Sequence, residues 1–157
     1  MSHEYTYDIS MFRDTFETRF TYLNGFLRNV SRFGSRPALF DPRSGRRWTY
    51  RELNAEANRL AHALRADGVG KNDVVMFTLL NSPEFVFCYL AAHKIGAVAC
   101  PVNYRQGAGE IALVIDDSTP KAFIYDAEFG ELSGGALDLC ESKPAIKIVV
   151  GADDAVP

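Results

Sequence analysis

Val74-Val75-Met76-Phe77-Thr78-Leu79-Leu80 is apolar at nearly every consecutive position. A strand with one wet face alternates, whereas a strand covered on both faces does not, and burial of both faces is the habit of parallel sheets. The run therefore predicts a parallel strand between two helical layers. Immediately downstream, Ser82 as cap and Pro83 in the first turn open a helix whose face is Phe85, Val86, Tyr89, Leu90 and His93, ending at Gly96. The alternation then repeats. Ala97 to Val102 reads as strand, Ala108 to Ile115 as helix, Lys121 to Tyr125 as strand, Phe129 to Cys140 as helix and Ile146 to Val150 as strand. Strands separated by helices in this way need right-handed crossovers that lay helices on both faces of one sheet. The expected class is α/β, three-layer, with a mostly parallel sheet and helices on both faces.

Upstream of that run, Thr49 and Glu52 have the spacing of a capping box, so a helix should begin there. Its apolar positions Leu53, Ala57, Leu60, Ala61 and Leu64 fall on one stripe, and Gly68 is placed to stop it in a left-handed conformation. Before it, Ala38-Leu39-Phe40 and Arg46-Arg47-Trp48-Thr49 flank the turn residues Asp41-Pro42-Arg43-Ser44-Gly45 as a short hairpin would. Earlier still, Ser10 caps an expected helix carrying Met11, Phe12, Phe16, Phe20, Leu23, Phe26, Leu27 and Val30, with an interruption near Asn24-Gly25. The chain thus divides into an N-terminal helical segment (1–36), an α/β unit (37–150) and a polar linker-like tail (151–157).

Composition narrows the class of function. The chain has 157 residues, 47% of them hydrophobic and 24% charged, which suits one globular domain with a conventional core. Seventeen basic against twenty acidic residues give a net charge of −3, no basis for a nucleic-acid-coating surface. Arg43, Arg46 and Arg47 cluster around Gly45, where solvated turn charge is the simple reading. No segment approaches the ~20 apolar residues of a membrane span, and the polar start of the chain lacks the basic-then-apolar order of a secretory signal, so a cytoplasmic protein is expected. Cys88, Cys100 and Cys140 are odd in number with no CxxC pair, which argues against a disulfide framework or a zinc site. Cys88 and Cys100 lie in apolar stretches and read as small buried hydrophobes.

The opening Trp48-Thr49-Tyr50-Arg51-Glu52-Leu53 resembles the aromatic-Thr/Ser-Tyr-x-Glu-Leu segment near the start of adenylate-forming (AMP-binding) enzymes. Gly68-Val69-Gly70-Lys71-Asn72-Asp73-Val74-Val75, Asn81-Ser82-Pro83-Glu84-Phe85 and Lys94-Ile95-Gly96-Ala97-Val98 follow in the family's order. Pro101-Val102-Asn103-Tyr104-Arg105 is closer to the Pro-x-Asn-x-Arg form of acyl-CoA synthetases and other acid:CoA ligases than to that of peptide-synthetase adenylation domains. Asp116-Asp117-Ser118 through Tyr125 also looks like the entry to a later strand of the family's first subdomain. The resemblance spans about Pro37 to Val150, the first quarter to third of such an enzyme, and implies the first part of its large N-terminal domain.

By that resemblance, the parent enzyme uses ATP, Mg2+ and CoA to convert a carboxylic acid to an acyl-adenylate and then a thioester. Both steps need groups that neutralise charge, which the family supplies from a Ser/Thr/Gly-rich loop ending in lysine, from acidic residues and from a lysine on a C-terminal domain. None of these is found here, so this stretch alone is expected to be inactive, with no catalytic residue and no metal site. Ser133-Gly134-Gly135 is the nearest thing to a glycine-rich loop, but no Lys-Ser/Thr follows and it reads as a turn or helix irregularity. His62 and His93 lack ligands at metal spacing, and Asp116-Asp117 reads as a solvated pair.

Arg105 is the one candidate cofactor-binding residue. It follows a buried strand, at the end where open α/β sheets place ligands, and a guanidinium suits a phosphate; the resemblance implies the CoA nucleotide. A solvent role or a salt bridge to Glu110 is the competing reading. A different class of function, a small standalone α/β binding module derived from this family, also fits. The two differ in surface: a piece of a larger unit leaves apolar area uncovered and tends to form homodimers through it, and the aromatic N-terminal helix offers such a face.

Overall fold

The computed structural model describes residues 8–151. Four strands, β3 (Val74–Thr78), β4 (Val98–Pro101), β5 (Ala122–Asp126) and β6 (Ile146–Val150), form an all-parallel sheet in the order β4-β3-β5-β6. Met76 pairs with Cys100 on one side and Phe123 on the other, which makes β3 an inner strand, as its unbroken apolar run requires. Alternate residues of β3 feed two cores. Val75 and Phe77 pack on α3 (Tyr50–Ala66) and α4 (Pro83–Ile95), whereas Met76 packs on α5 (Ala108–Ser118) and α6 (Gly130–Leu139). Helices therefore cover both faces, and the three-layer expectation holds.

The hairpin is present as β1 (Pro37–Phe40) paired antiparallel with β2 (Arg47–Thr49). Asp41 builds its turn by accepting from the Arg43 and Ser44 N–H groups. The capping box of α3 is complete: Glu52 N–H donates to Thr49 Oγ1 at 3.3 Å and Thr49 N–H to Glu52 Oε2 at 2.8 Å. Leu53, Ala57, Ala61 and Leu64 are buried along the expected stripe, and Gly68 (φ +86°) follows the end of the helix.

Three elements depart from expectation. The first helix is capped by Asp8, whose carboxylate accepts from Ser10 N–H at 2.8 Å, rather than by Ser10. Its break comes earlier than Asn24-Gly25. After α1 (Ile9–Arg13) the chain passes through a π-helical segment, Asp14–Arg19, and stops at Phe20, because Thr21 is extended and its Oγ1 accepts from Asn24 N–H to cap α2 (Tyr22–Phe33). Finally, α4 is not one-faced. Cys88, Ala91 and Ala92 meet the sheet side while Leu90 and the half-buried Val86 meet Phe26, Trp48 and Leu53, so the helix is wrapped nearly all round. Such a helix carries no clear face in its sequence.

No helix among the described residues is long and apolar enough to cross a membrane.

Candidate functional site

After β3 the chain crosses through α4 to β4 on one flank, and after β5 it crosses through α6 to β6 on the other. These connections diverge on opposite faces, which leaves a crevice at the carboxyl ends of β3 and β5, the topological switch point where open α/β sheets bind ligands. The β4–α5 loop that carries Arg105 borders it. Val102 N–H still donates to Phe77 O at 2.9 Å, so strand pairing persists to the start of this loop. The chain then turns sharply: Asn103 Oδ1 accepts from Arg105 N–H at 3.0 Å and Asn103 O from Gln106 N–H at 3.1 Å. Asn103 therefore shapes the turn, as its residue type suggests.

Tyr104 lies parallel to Phe129, with centroids 5.0 Å apart and planes 8° apart. Phe129 belongs to the short 3-10 turn Ala127–Phe129 after β5, and β3 lies between β4 and β5 in the sheet. The stack thus joins two loops across the carboxyl end of β3. On the same tyrosine, the Arg105 guanidinium carbon is 5.7 Å from the ring centroid. Arg105 is exposed, and no carboxylate among the described residues is in ion-pair range of it. Glu110, the suspected partner, instead accepts from Gly107 N–H at 2.8 Å and caps α5. A guanidinium held against an aromatic ring, exposed and without a counter-ion, has its fork of donors available to an anion.

Two hydroxyls at this end of β3 were not legible as site features. Thr78 is fully buried and its Oγ1 has no hydrogen-bond partner among the described residues, and the buried Ser82 Oγ has none either. Ser82 precedes α4 as expected but makes no side-chain cap. Arg43 and Arg46, read as solvated turn charge, line a cleft of about 310 Å³ with Ser82, Glu84 and Asp126. The β1–β2 turn therefore borders the same edge. At its base the Ser44 hydroxyl, followed by the Arg43 N–H, holds the Asp41 carboxyl below its ordinary range. A larger, apolar cavity of about 540 Å³, lined by Tyr22, Phe26, Tyr50, Leu53, Val86 and Leu90, belongs to the separate core between α2, the hairpin, α3 and α4.

The remaining candidates take structural places. Ser133-Gly134-Gly135 lies within α6, where a Cβ on Gly135 would be 3.4 Å from Ala108 Cβ, so the glycine lets α5 and α6 approach rather than forming a turn. Asp117 is exposed as expected, whereas Asp116 is half-buried and has a structural place: its Oδ1 accepts from Glu141 N–H at 2.9 Å and Ser142 N–H at 2.8 Å, tying α5 to the loop after α6. His62 is exposed, and His93 contacts the rings of Tyr22 and Tyr89. Among the described residues no three His, Cys, Asp or Glu side chains gather as a metal site would require. Cys88 is buried, with its thiol pushed up to about 12, chiefly by desolvation.

The family model for AMP-binding enzymes matches residues 26–156. The chain belongs to the AMP-binding enzyme family. Relatives of this chain include a 3-hydroxybenzoate/4-hydroxybenzoate CoA ligase of Thauera aromatica, 44% identical over 107 residues, or 68% of this chain and 20% of that protein. The long-chain-fatty-acid CoA ligase FadD13 of Mycobacterium tuberculosis is 42% identical over 90 residues, 57% of this chain and 18% of the relative. Among solved structures, a Mycobacterium tuberculosis fatty acyl CoA synthetase superposes with a TM-score of 0.76 at 32% identity, over 84% of this chain and 27% of that one. The chain therefore spans about a fifth of the length of these curated relatives.

Proposed function

We propose that this chain is the N-terminal part of an ATP-dependent acid:CoA ligase, and that Arg105 receives a phosphate of the CoA nucleotide. The observation that carries the reading is the exposed guanidinium of Arg105, without a counter-ion, beside the switch-point crevice of a family whose members matched here are CoA ligases. The substrate class is a carboxylic acid. Relatives that act on hydroxybenzoates and on long-chain fatty acids align with similar identity, so the chemistry they share is the part that carries over.

When bound, ATP with Mg2+ activates the carboxylate and CoA supplies the thiol. The residues described here fit only the last of these groups. Arg105 offers forked donors to a phosphate, and the Asn103 turn and the Tyr104 ring hold its backbone and its guanidinium in place. The Ser133-Gly134-Gly135 helix does not fit a triphosphate, because its backbone N–H groups lie inside α6 and its surface packs on α5. Residues 1–157 by themselves should accordingly release no pyrophosphate from ATP in an acid-dependent manner.

The test is a chimera in which residues 26–151 replace the matching segment of the Thauera ligase. Acid-dependent pyrophosphate release and CoA consumption are expected. Arg105→Gln in that chimera should raise the KM for CoA severalfold while leaving the adenylation half-reaction unchanged. An unmoved CoA KM would remove Arg105 from the site; acid-dependent turnover by the 157 residues alone would overturn the inactivity.

A further inference from the structure

The N-terminal segment carries a surface that the ligase reading does not use. Neither α1 nor the π-helical segment buries a single residue, yet Ile9, Met11, Phe12, Phe16 and Phe20 are all apolar and 42–67% exposed. Phe12, Phe16 and Phe20 form a ladder, with successive centroids 4.6 and 5.5 Å apart. Phe12 lies in α1, Phe16 in the π-helical segment and Phe20 just after it, so their spacing of four residues sets successive rings one turn apart on the same side. At the end of the ladder the charge changes character. The Arg28 guanidinium lies 5.5 Å from the Phe20 centroid and donates to Arg19 O at 3.3 Å, and Arg32 follows one turn later on α2, over the Phe33 ring; both are exposed and outside ion-pair range of any carboxylate among the described residues. The acids of this segment are occupied: Asp14 pairs with Arg19 at 3.3 Å and Glu17 with Arg13 at 3.8 Å. Residues 9–20 also precede the part of the chain that the family model matches, so the ladder is not part of the matched architecture.

We propose that this aromatic ladder and its arginine row form a peripheral docking surface for an anionic lipid bilayer. An exposed line of aromatic and aliphatic side chains beside arginines outside any ion pair is the arrangement by which a helix lies in a membrane interface without spanning it. Phenyl rings enter the boundary between headgroups and acyl chains, and arginines meet lipid phosphates by forked hydrogen bonds. Charge complementarity selects this occupant over a second copy of the chain, because an antiparallel pairing of two ladders would gain nothing from the cationic row.

The experiment is co-sedimentation of the purified chain with vesicles of phosphatidylcholine alone and of phosphatidylcholine mixed with phosphatidylglycerol. Binding to the anionic vesicles should be about tenfold tighter or more, since each arginine near such a surface contributes to the attraction, and 1 M salt should remove most of the difference. Phe16→Ser with Phe20→Ser should abolish binding to both. Arg28→Gln with Arg32→Gln should remove only the preference for anionic lipid. All four side chains are exposed, and far-UV circular dichroism of each variant checks that the fold is kept. Equal binding to both vesicles, no binding to either, or binding indifferent to the variants would each overturn the proposal. So would a dimer in light scattering that Phe16→Ser with Phe20→Ser dissolves while vesicles are ignored, an outcome that assigns the ladder to self-association.

Discussion

At the scale of single residues, Cys88 and Cys100 illustrate what burial does to reactivity. Only the thiolate attacks an alkylating reagent, and Cys88 is buried with its thiol raised to about 12, whereas Cys100 is raised by a half-buried position on the outer strand β4. Iodoacetamide at pH 8 should therefore label Cys100 well before Cys88, as peptide mass mapping over time would show; prior labelling of Cys88 would contradict its placement. Gly96 offers a second case. It holds φ +74° at the end of α4, and its absent Cβ would face Lys71 Cγ at 3.4 Å. Gly96→Ala should lower stability by about 1–2 kcal/mol in urea denaturation, from left-handed strain. Of the candidate site, the position of Arg105 was legible from the strand before it, although β4 is an outer strand with no buried residue rather than the buried strand expected, and Asn103 was legible from its turn chemistry. The Tyr104–Phe129 stack was not, because 25 residues and a whole crossover separate its two rings, and no local pattern links them.

The elements were most legible where sequence-local chemistry decides them. Thr49 and Glu52 meet within one helical turn, so their spacing is their structure. Thr49→Ala should cost about 1 kcal/mol in denaturant unfolding, and Thr49→Ser should recover most of it. The cap also has a pH dependence. The Thr49 N–H, then the Thr49 hydroxyl, hold Glu52 below its ordinary 4.5, so the folded carboxylate is favoured over the unfolded one. That stabilisation is present above the ordinary value and is lost as pH falls toward the lowered one. Elements were misread where a competing local feature or a distant neighbour intervened. Thr21 captured the helix start that the break at Asn24-Gly25 was expected to mark, and the face of α4 dissolved because the sheet and the α2–hairpin core both claim it. Gly135 is similar. Its role depends on Ala108 across the α5–α6 contact, and Gly135→Val should push the two helices apart and lower the thermal midpoint by several degrees.

For the whole molecule, the sheet is tied at its amino end as well as read at its carboxyl end. Asp73, just before β3, accepts from Gly70 N–H at 2.8 Å and from Lys121 Nζ at 3.0 Å, while the same ammonium donates to Gly68 O at 2.7 Å, so one contact secures the starts of β3 and β5. The Gly70 N–H, with Lys121 second, lowers the Asp73 carboxyl below 3.8. Unfolding monitored against pH should show stability declining as pH drops below that value, and Asp73→Asn should flatten the decline; an unchanged profile would assign acid sensitivity elsewhere. The strand order β4-β3-β5-β6 has one more consequence. Of these four strands β3 emerges first from the ribosome; β4 is laid on one side of it, β5 on the other, and β6 on β5, so every new strand of the sheet meets a neighbour already synthesised. Vectorial growth of this kind keeps loop closures short and spares the nascent chain a search among unmade partners.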